Sequence, residues 1–215
     1  MIQKKIAVVD YGIGNLYSVR RALESCGAEH ITVTSAAEDI LSADKVILPG
    51  VGAFADGMKG LKEKNLIEPI IEYARSGKTI LGICLGMQLL ATVSEEFGLH
   101  QGLNLISGRV VPIPTETEKG KIRKIPYIGW TNLIEPRANA WERSLLNGLG
   151  NNDWVYLVHS FHVQPETESD LLATYDFDGY AVTAAVRTEN IYGYQFHPEK
   201  SGAVGLRLVQ CFLDA

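Results

Sequence analysis

Strands and helices take turns through the first ninety residues, and that alternation leaves few folds open to the chain. Lys5-Ile6-Ala7-Val8-Val9 reads as a buried strand ending at Asp10, with Gly12 and Gly14 in the turn that follows. Leu16, Val19, Leu23 and Cys26 recur at helical spacing, and Gly27 stands where a helix C-cap belongs. Ile31–Thr34 and Lys45–Leu48 predict two further strands, the second closed by Pro49. A helical stretch through Leu66, Ile67, Ile70 and Ile71 precedes Gly77. Thr79–Leu81 begins another strand, expected to stop at Gly82, with a helix over Met87–Leu90. Strands spaced by helices are βαβ units, and these build a parallel sheet covered on both faces.

Beyond about residue 100 the rhythm changes. Val110–Pro136 is rich in proline, charge and β-branched residues and has no long helical period. Trp154–Val163, Leu171–Tyr175, Ala181–Arg187 and Ile191–Phe196 read as strands, and a last helix turns Val204, Leu208, Cys211 and Phe212 toward the core. The expected fold is therefore α/β, with a mostly parallel central sheet flanked by helices and additional antiparallel strands in the C-terminal half. No repeat or linker divides the chain, so residues 1–215 are read as one domain.

Composition excludes several classes of function. A net charge of −5 gives no overall attraction to nucleic acid or to an anionic membrane. No apolar run approaches the roughly 18 residues of a membrane span. Met1–Lys5 leads straight into a strand pattern, unlike a signal peptide. Three cysteines do not make a disulfide framework, and a cytoplasmic setting is expected.

Gly82-Ile83-Cys84-Leu85-Gly86 places a thiol between two glycines where strand gives way to helix. This is the logic of a nucleophile elbow with sulfur in place of oxygen. The bend is so tight that flanking side chains would collide. It holds the sulfur clear of the sheet at a helix N-terminus, whose partial positive charge favours the thiolate. The Leu85 amide, first in the helix, is free to donate to an oxyanion. Cys26 and Cys211 lack such a frame and read as core residues.

A thiol nucleophile needs a base, and the base needs a partner that orients it. His197-Pro198-Glu199 offers both: in an extended segment His197 and Glu199 leave on the same side, and Pro198 stiffens the backbone between them. The glycine-rich turn Gly50-Val51-Gly52 after the third strand can supply further oxyanion donors. Its formal match to a dinucleotide fingerprint fails, because Pro49 intrudes and the turn is not the first of the chain. No metal motif and no phosphate-binding loop is present, so no metal and no cofactor is expected.

Taken together these residues resemble the class I, or triad, glutamine amidotransferases, whose fold is flavodoxin-like. Within them the chain is similar to the glutaminase subunits of imidazole glycerol phosphate synthases. The likeness runs through Asp10–Leu16, Pro49–Phe54, Gly82–Gln88, Gly129-Trp130, Val158-His159-Ser160 and Gln195–Ser201. It implies a Cys84–His197–Glu199 triad that hydrolyses L-glutamine to glutamate and ammonia. It further implies an oxyanion hole from the amides of Leu85 and Val51, and a substrate held by Gly52 and Gln88 with backbone help from His159 and Ser160. The ammonia would pass to a cyclase subunit, a TIM barrel joined as a heterodimer, which makes imidazole glycerol phosphate and aminoimidazole carboxamide ribotide.

Where the resemblance leads one to expect Pro-His-x-Gly-Trp-Asn at the cyclase interface, this chain has Pro126-Tyr127-Ile128-Gly129-Trp130-Thr131. That departure bears on the partner, and leaves room for a paralogous subunit feeding another synthase, such as one amidating surface sugars. Trp130 either anchors an interface or packs on its own sheet, and Asn15 either caps the first helix or donates across the interface. Two further readings stay open from the residues alone: a cysteine hydrolase of the related peptidase or deglycase type, and a scaffold with an inert thiol.

Overall fold

The computed structural model describes residues 4–150 and 153–215. Met1–Gln3, read above as the lead-in to the first strand, lies outside the described residues. In chain order the elements are β1 (Lys5–Val9), α1 (Leu16–Ser25), β2 (His30–Thr34), α2 (Ala37–Ser42), β3 (Lys45–Gly50), α3 (Phe54–Glu63), α4 (Ile67–Arg75), β4 (Ile80–Cys84) and α5 (Leu85–Leu89). Then come β5 (Ala91–Ser94), β6 (His100–Gln101), β7 (Ile106–Pro112), β8 (Tyr127–Asn132), β9 (Trp154–His159) and β10 (Phe161–Pro165). The chain closes with β11 (Leu171–Phe177), β12 (Tyr180–Thr188), β13 (Ile191–Tyr194) and α6 (Gly202–Asp214).

Seven strands form the central sheet in the order β11-β12-β13-β4-β3-β1-β2. The five from β13 to β2 run parallel, and β12 and β11 add to them antiparallel. The central strands β1, β3 and β4 are buried on both faces, which is why they read as continuous apolar runs, whereas β2 at the edge is largely exposed. Along β1, Ile6 and Val8 join one core with Val19 and Leu23 of α1 and Leu208 and Phe212 of α6. Ala7 and Val9 point the other way, into a second core with Phe54 and Leu61 of α3 and Ile70 of α4. Among the described residues no helix is long and apolar enough to cross a membrane.

Several elements depart from expectation. Pro49 does not close β3, which continues to Gly50. The pairing with β1 ends at Ile47, so the prolyl nitrogen stands where the strand is laddered only to β4. Gly82 does not end β4 either, because Leu48, Pro49 and Gly50 pair with Gly82, Ile83 and Cys84. The helix after Cys84 has only five residues, and the chain re-enters a strand at Ala91. That strand belongs to a second sheet, β10-β7-β5-β6, while β8 and β9 pair as a separate antiparallel ribbon. Trp130 lies in β8.

Because β3, β4 and β13 are parallel, their carboxyl ends meet at one edge of the sheet, the usual place for a ligand in such folds. The glycine turn, the cysteine and the His-Pro-Glu segment all leave from that edge.

Candidate active site

Cys84 ends β4 with φ 55° and ψ −112°, a conformation that L side chains seldom adopt. The glycines that flank it are there for space. A Cβ on Gly86 would lie 1.7 Å from the Leu48 carbonyl oxygen, and one on Gly82 would lie 2.7 Å from the Gly86 carbonyl. The elbow is thus pressed against β3 as the sequence requires. Leu85 opens α5, so its amide is among those with no acceptor within the helix.

His197 is brought to the same edge by β13 and tied to the β8–β9 ribbon, its amide donating to Tyr156 O at 3.0 Å. The backbone at His197 is extended, as expected before proline, but Pro198–Lys200 then form a single 3-10 turn. That turn, rather than a continued extended segment, carries Glu199 back to the ring. Nδ1 donates to Glu199 Oε1 at 2.8 Å, both side chains being almost wholly buried. Ser201 fastens the turn: its hydroxyl donates to His197 O at 2.7 Å and accepts from Tyr156 N at 3.0 Å.

Since Nδ1 carries the proton given to Glu199, Nε2 is the atom left for chemistry. Among the described residues it has no hydrogen-bonded partner at bonding distance. Burial pulls the His197 pKa down, but the nearby Cys84 side chain, and after it Glu199, outweigh burial and raise it to about 9. The ring therefore holds its proton at neutral pH when the sulfur is anionic.

Cys84 and His197 open onto a cavity of about 300 Å³, also lined by Val51, Gly52, Leu85, Gln88, Glu96, His159, Ser160 and Phe161. Every catalytic, oxyanion and substrate-binding residue anticipated from the sequence lines this cavity except Glu199, which stands behind His197. Gly52 has φ 102°, so the turn beside the thiol uses a conformation suited to glycine.

Glu96 was not anticipated. Its carboxylate is 9% exposed, takes the Phe54 amide on Oε2 at 2.6 Å and lines the cavity. One of two adjacent glutamates in the β5–β6 connection carries no signal in sequence; only the fold brings it to the cavity that Cys84 lines. Gln195 was also passed over as a site residue, though its amide lies 3.7 Å from the Cys84 sulfur.

His159 contributes structure, with its imidazole locked away from the cavity's chemistry. Nδ1 donates to Phe161 O at 2.8 Å and Nε2 accepts from the Tyr175 hydroxyl at 2.9 Å. Burial lowers its pKa to about 4, so the ring is neutral. The residues assigned to an interface divide. Asn15 is the N-cap of α1, accepting from Ser18 N at 3.2 Å. Tyr127 turns inward against His159, Tyr175 and Phe177, whereas Trp130, on the other face of β8, is 49% exposed beside Tyr156. Strand alternation separates the two. Cys26 and Cys211 are half-buried at the margins of their helices, not the core residues expected. Cys26 is the C-cap of α1, and Cys211 lies beside the stripe of α6 that buries Leu208, Val209 and Phe212.

The chain is similar to known proteins along nearly its whole length. The family described as glutamine amidotransferase class-I matches residues 7–213. The imidazole glycerol phosphate synthase subunit HisH 1 of Legionella pneumophila (strain Paris) is 50% identical over 210 residues, covering 97% of this chain and 98% of its own length. The subunit HisH of Syntrophotalea carbinolica is 47% identical, covering 97% and 99%. Among solved structures, PurLQS from Thermotoga maritima superposes with a TM-score of 0.69 at 23% identity, covering 99% of each chain. That last likeness is one of fold.

Proposed function

The chain belongs to the class I glutamine amidotransferases, and from that premise we propose that Cys84, His197 and Glu199 are the triad with which it hydrolyses L-glutamine. It is the glutaminase subunit of an imidazole glycerol phosphate synthase, serving histidine biosynthesis. The observation that carries the assignment of residues is geometric: a buried imidazole, held at Nδ1 by Glu199 Oε1 at 2.8 Å, shares one cavity with the Cys84 thiol.

In the first step the Cys84 thiolate attacks the side-chain carbonyl carbon of glutamine. Negative charge develops on the carbonyl oxygen, which the amides of Leu85 and Val51 receive. As the carbon–nitrogen bond breaks, His197 Nε2 delivers its proton to the leaving nitrogen and ammonia departs. A glutamyl thioester remains. The neutral imidazole then draws a proton from water, hydroxide adds to the thioester, and glutamate leaves as the thiolate returns. Glu199 keeps the ring in one tautomer and favours its charged form throughout.

The cavity supplies the grip on the rest of the substrate. The Glu96 carboxylate suits an α-ammonium group, and Gly52, Gln88 and the backbone at His159 and Ser160 complete the enclosure. We read residues 1–215 as one amidotransferase domain, supported by the extent of the family match and by the single seven-stranded sheet. The ammonia would pass to a cyclase partner, which we infer to be a TIM-barrel subunit in a heterodimer. Exposed Ile128 and Trp130 on β8 and Trp154 on β9 support a docking face there. A reducing cytoplasmic setting keeps such a thiolate available.

The test is glutamate release from L-glutamine with and without the cyclase subunit. Hydrolysis that Cys84→Ala abolishes is expected; hydrolysis that survives the substitution would refute the triad.

A further inference from the structure

Beside the Cys84 sulfur lies a line of side-chain amides that the triad does not employ. The register of β13 on β4 pairs Tyr194 with Ile83, which brings the next residue, Gln195, abreast of Cys84. Gln195 is fully buried, and its backbone amide is fixed to Ala184 O at 2.9 Å. Its side-chain Nε2 lies 3.7 Å from Cys84 Sγ, while its Oε1 accepts from Gln88 Nε2 at 3.0 Å. The same Gln88 nitrogen donates to Phe161 O at 3.1 Å.

The direction of this line follows from one end. A peptide carbonyl only accepts, so Gln88 must turn its NH2 to Phe161. The second hydrogen of that NH2 points to Gln195, which must then present its oxygen. Gln195's own NH2 is left for the sulfur. Flipping either amide alone would set donor against donor or acceptor against acceptor at a buried contact, which is costly. The carbonyl of Phe161 thereby fixes, through two side chains, that Cys84 meets a donor.

A buried N–H aimed at sulfur stabilises the anion more than the thiol. We propose that Gln195 is a further catalytic residue, one that holds and stabilises the Cys84 thiolate, with its orientation enforced by Gln88 and the Phe161 carbonyl. The proposal rests on the reading of Cys84 as the nucleophile. It also frees Gln88: both hydrogens of its amide are engaged, so its oxygen is the atom left for substrate.

The test follows alkylation of the Cys84 peptide by iodoacetamide against pH, using the full chain and mass spectrometry. Gln195→Met keeps the side chain's length and removes the donor. Its alkylation at neutral pH is expected to slow about tenfold, with the midpoint of the profile displaced to higher pH and kcat falling by a similar factor at nearly constant KM. A purely structural role would lower thermal stability and leave the profile in place. A Gln195→Met protein that melts like the parent and alkylates along the parent's profile would overturn the proposal. Should that variant not fold, Gln195→Leu, which likewise lacks the donor and introduces no charge beside the sulfur, decides by the same criterion. Glutamate release by the parent protein is recorded in the same preparation; its absence would count against the glutaminase reading, while the alkylation profile still decides the role of Gln195.

Discussion

Glu199 Oε1 accepts from His197 Nδ1 at 2.8 Å, although only Pro198 separates the two residues in the chain. The 3-10 turn over Pro198–Lys200 makes this possible, and it leaves Nε2 as the working nitrogen. Glu199→Gln keeps an acceptor and removes the charge that helps raise the His197 pKa. The fall in glutamate release at alkaline pH, expected near pH 9 in the parent, then moves to lower pH, and kcat drops about ten- to a hundredfold. A pH–rate profile checks both, and an unmoved alkaline limb would show that Glu199 is electrostatically idle.

The Glu96 side chain lines the cavity, where the proposed reading gives it the substrate's ammonium group. Glu96→Gln retains an acceptor for the Phe54 amide, so the fold is spared while the charge is lost. KM for glutamine should rise about tenfold or more with kcat little changed, since a hydrogen bond to a charged group is worth ~1.5–3 kcal/mol. Steady-state kinetics separate this from a loss of kcat alone, which would place Glu96 outside the substrate site.

Stability should depend on pH in opposite senses for different histidines. Burial lowers His159 and His162 to about 4, so the unfolded chain binds more protons between there and 6.5. Their contribution is present above about 6.5 and is lost as pH falls toward 4. His197 is raised to about 9, so its contribution is fully present below about 6.5 and is lost as pH rises through 9. Urea midpoints are therefore expected to peak near pH 6.5. His162→Gln can still accept the Thr183 amide but cannot titrate, so it should flatten the acid side by up to about 1.4 kcal/mol per pH unit. An acid side as steep as the parent's would contradict the assignment.

Gly86→Ala should be among the most damaging single substitutions in the chain. Its Cβ would need the place of the Leu48 carbonyl oxygen, a backbone atom of the central sheet that cannot swing away. A loss of ~3 kcal/mol or more is expected, read as a lowered thermal midpoint or failure to accumulate folded protein. A variant as stable as the parent would mean that the elbow and β3 are less closely pressed than found.

Much of this site was legible before any coordinates, because its chemistry is written in contiguous residues. The glycines around Cys84 and the His197-Pro198-Glu199 run each specify local geometry. What escaped was set by the third dimension or by shortness. The six residues of α2 and five of α5 give too few turns for a period, and the four-residue strand at Ala91 is too short to show an alternation of its own. The third helix, α3, begins two residues after the glycine-rich turn and was overshadowed by it. Glu96 and Gln195 carry no motif of their own; each acquires meaning only when β5 and β13 bring it to the thiol. Tyr127 and Trp130 fall in one interface motif by resemblance, and the strand's alternation parts them.

The central claim is that one thiol of three is the glutamine nucleophile. Incubating the protein with a chloroketone analogue of glutamine and locating the adduct by peptide mass spectrometry tests it most directly. The expected result is one adduct per chain, on Cys84, prevented by excess L-glutamine, with Cys26 and Cys211 unmodified. An adduct on Cys26 or Cys211 in place of Cys84, or labelling that glutamine does not suppress, would contradict the account.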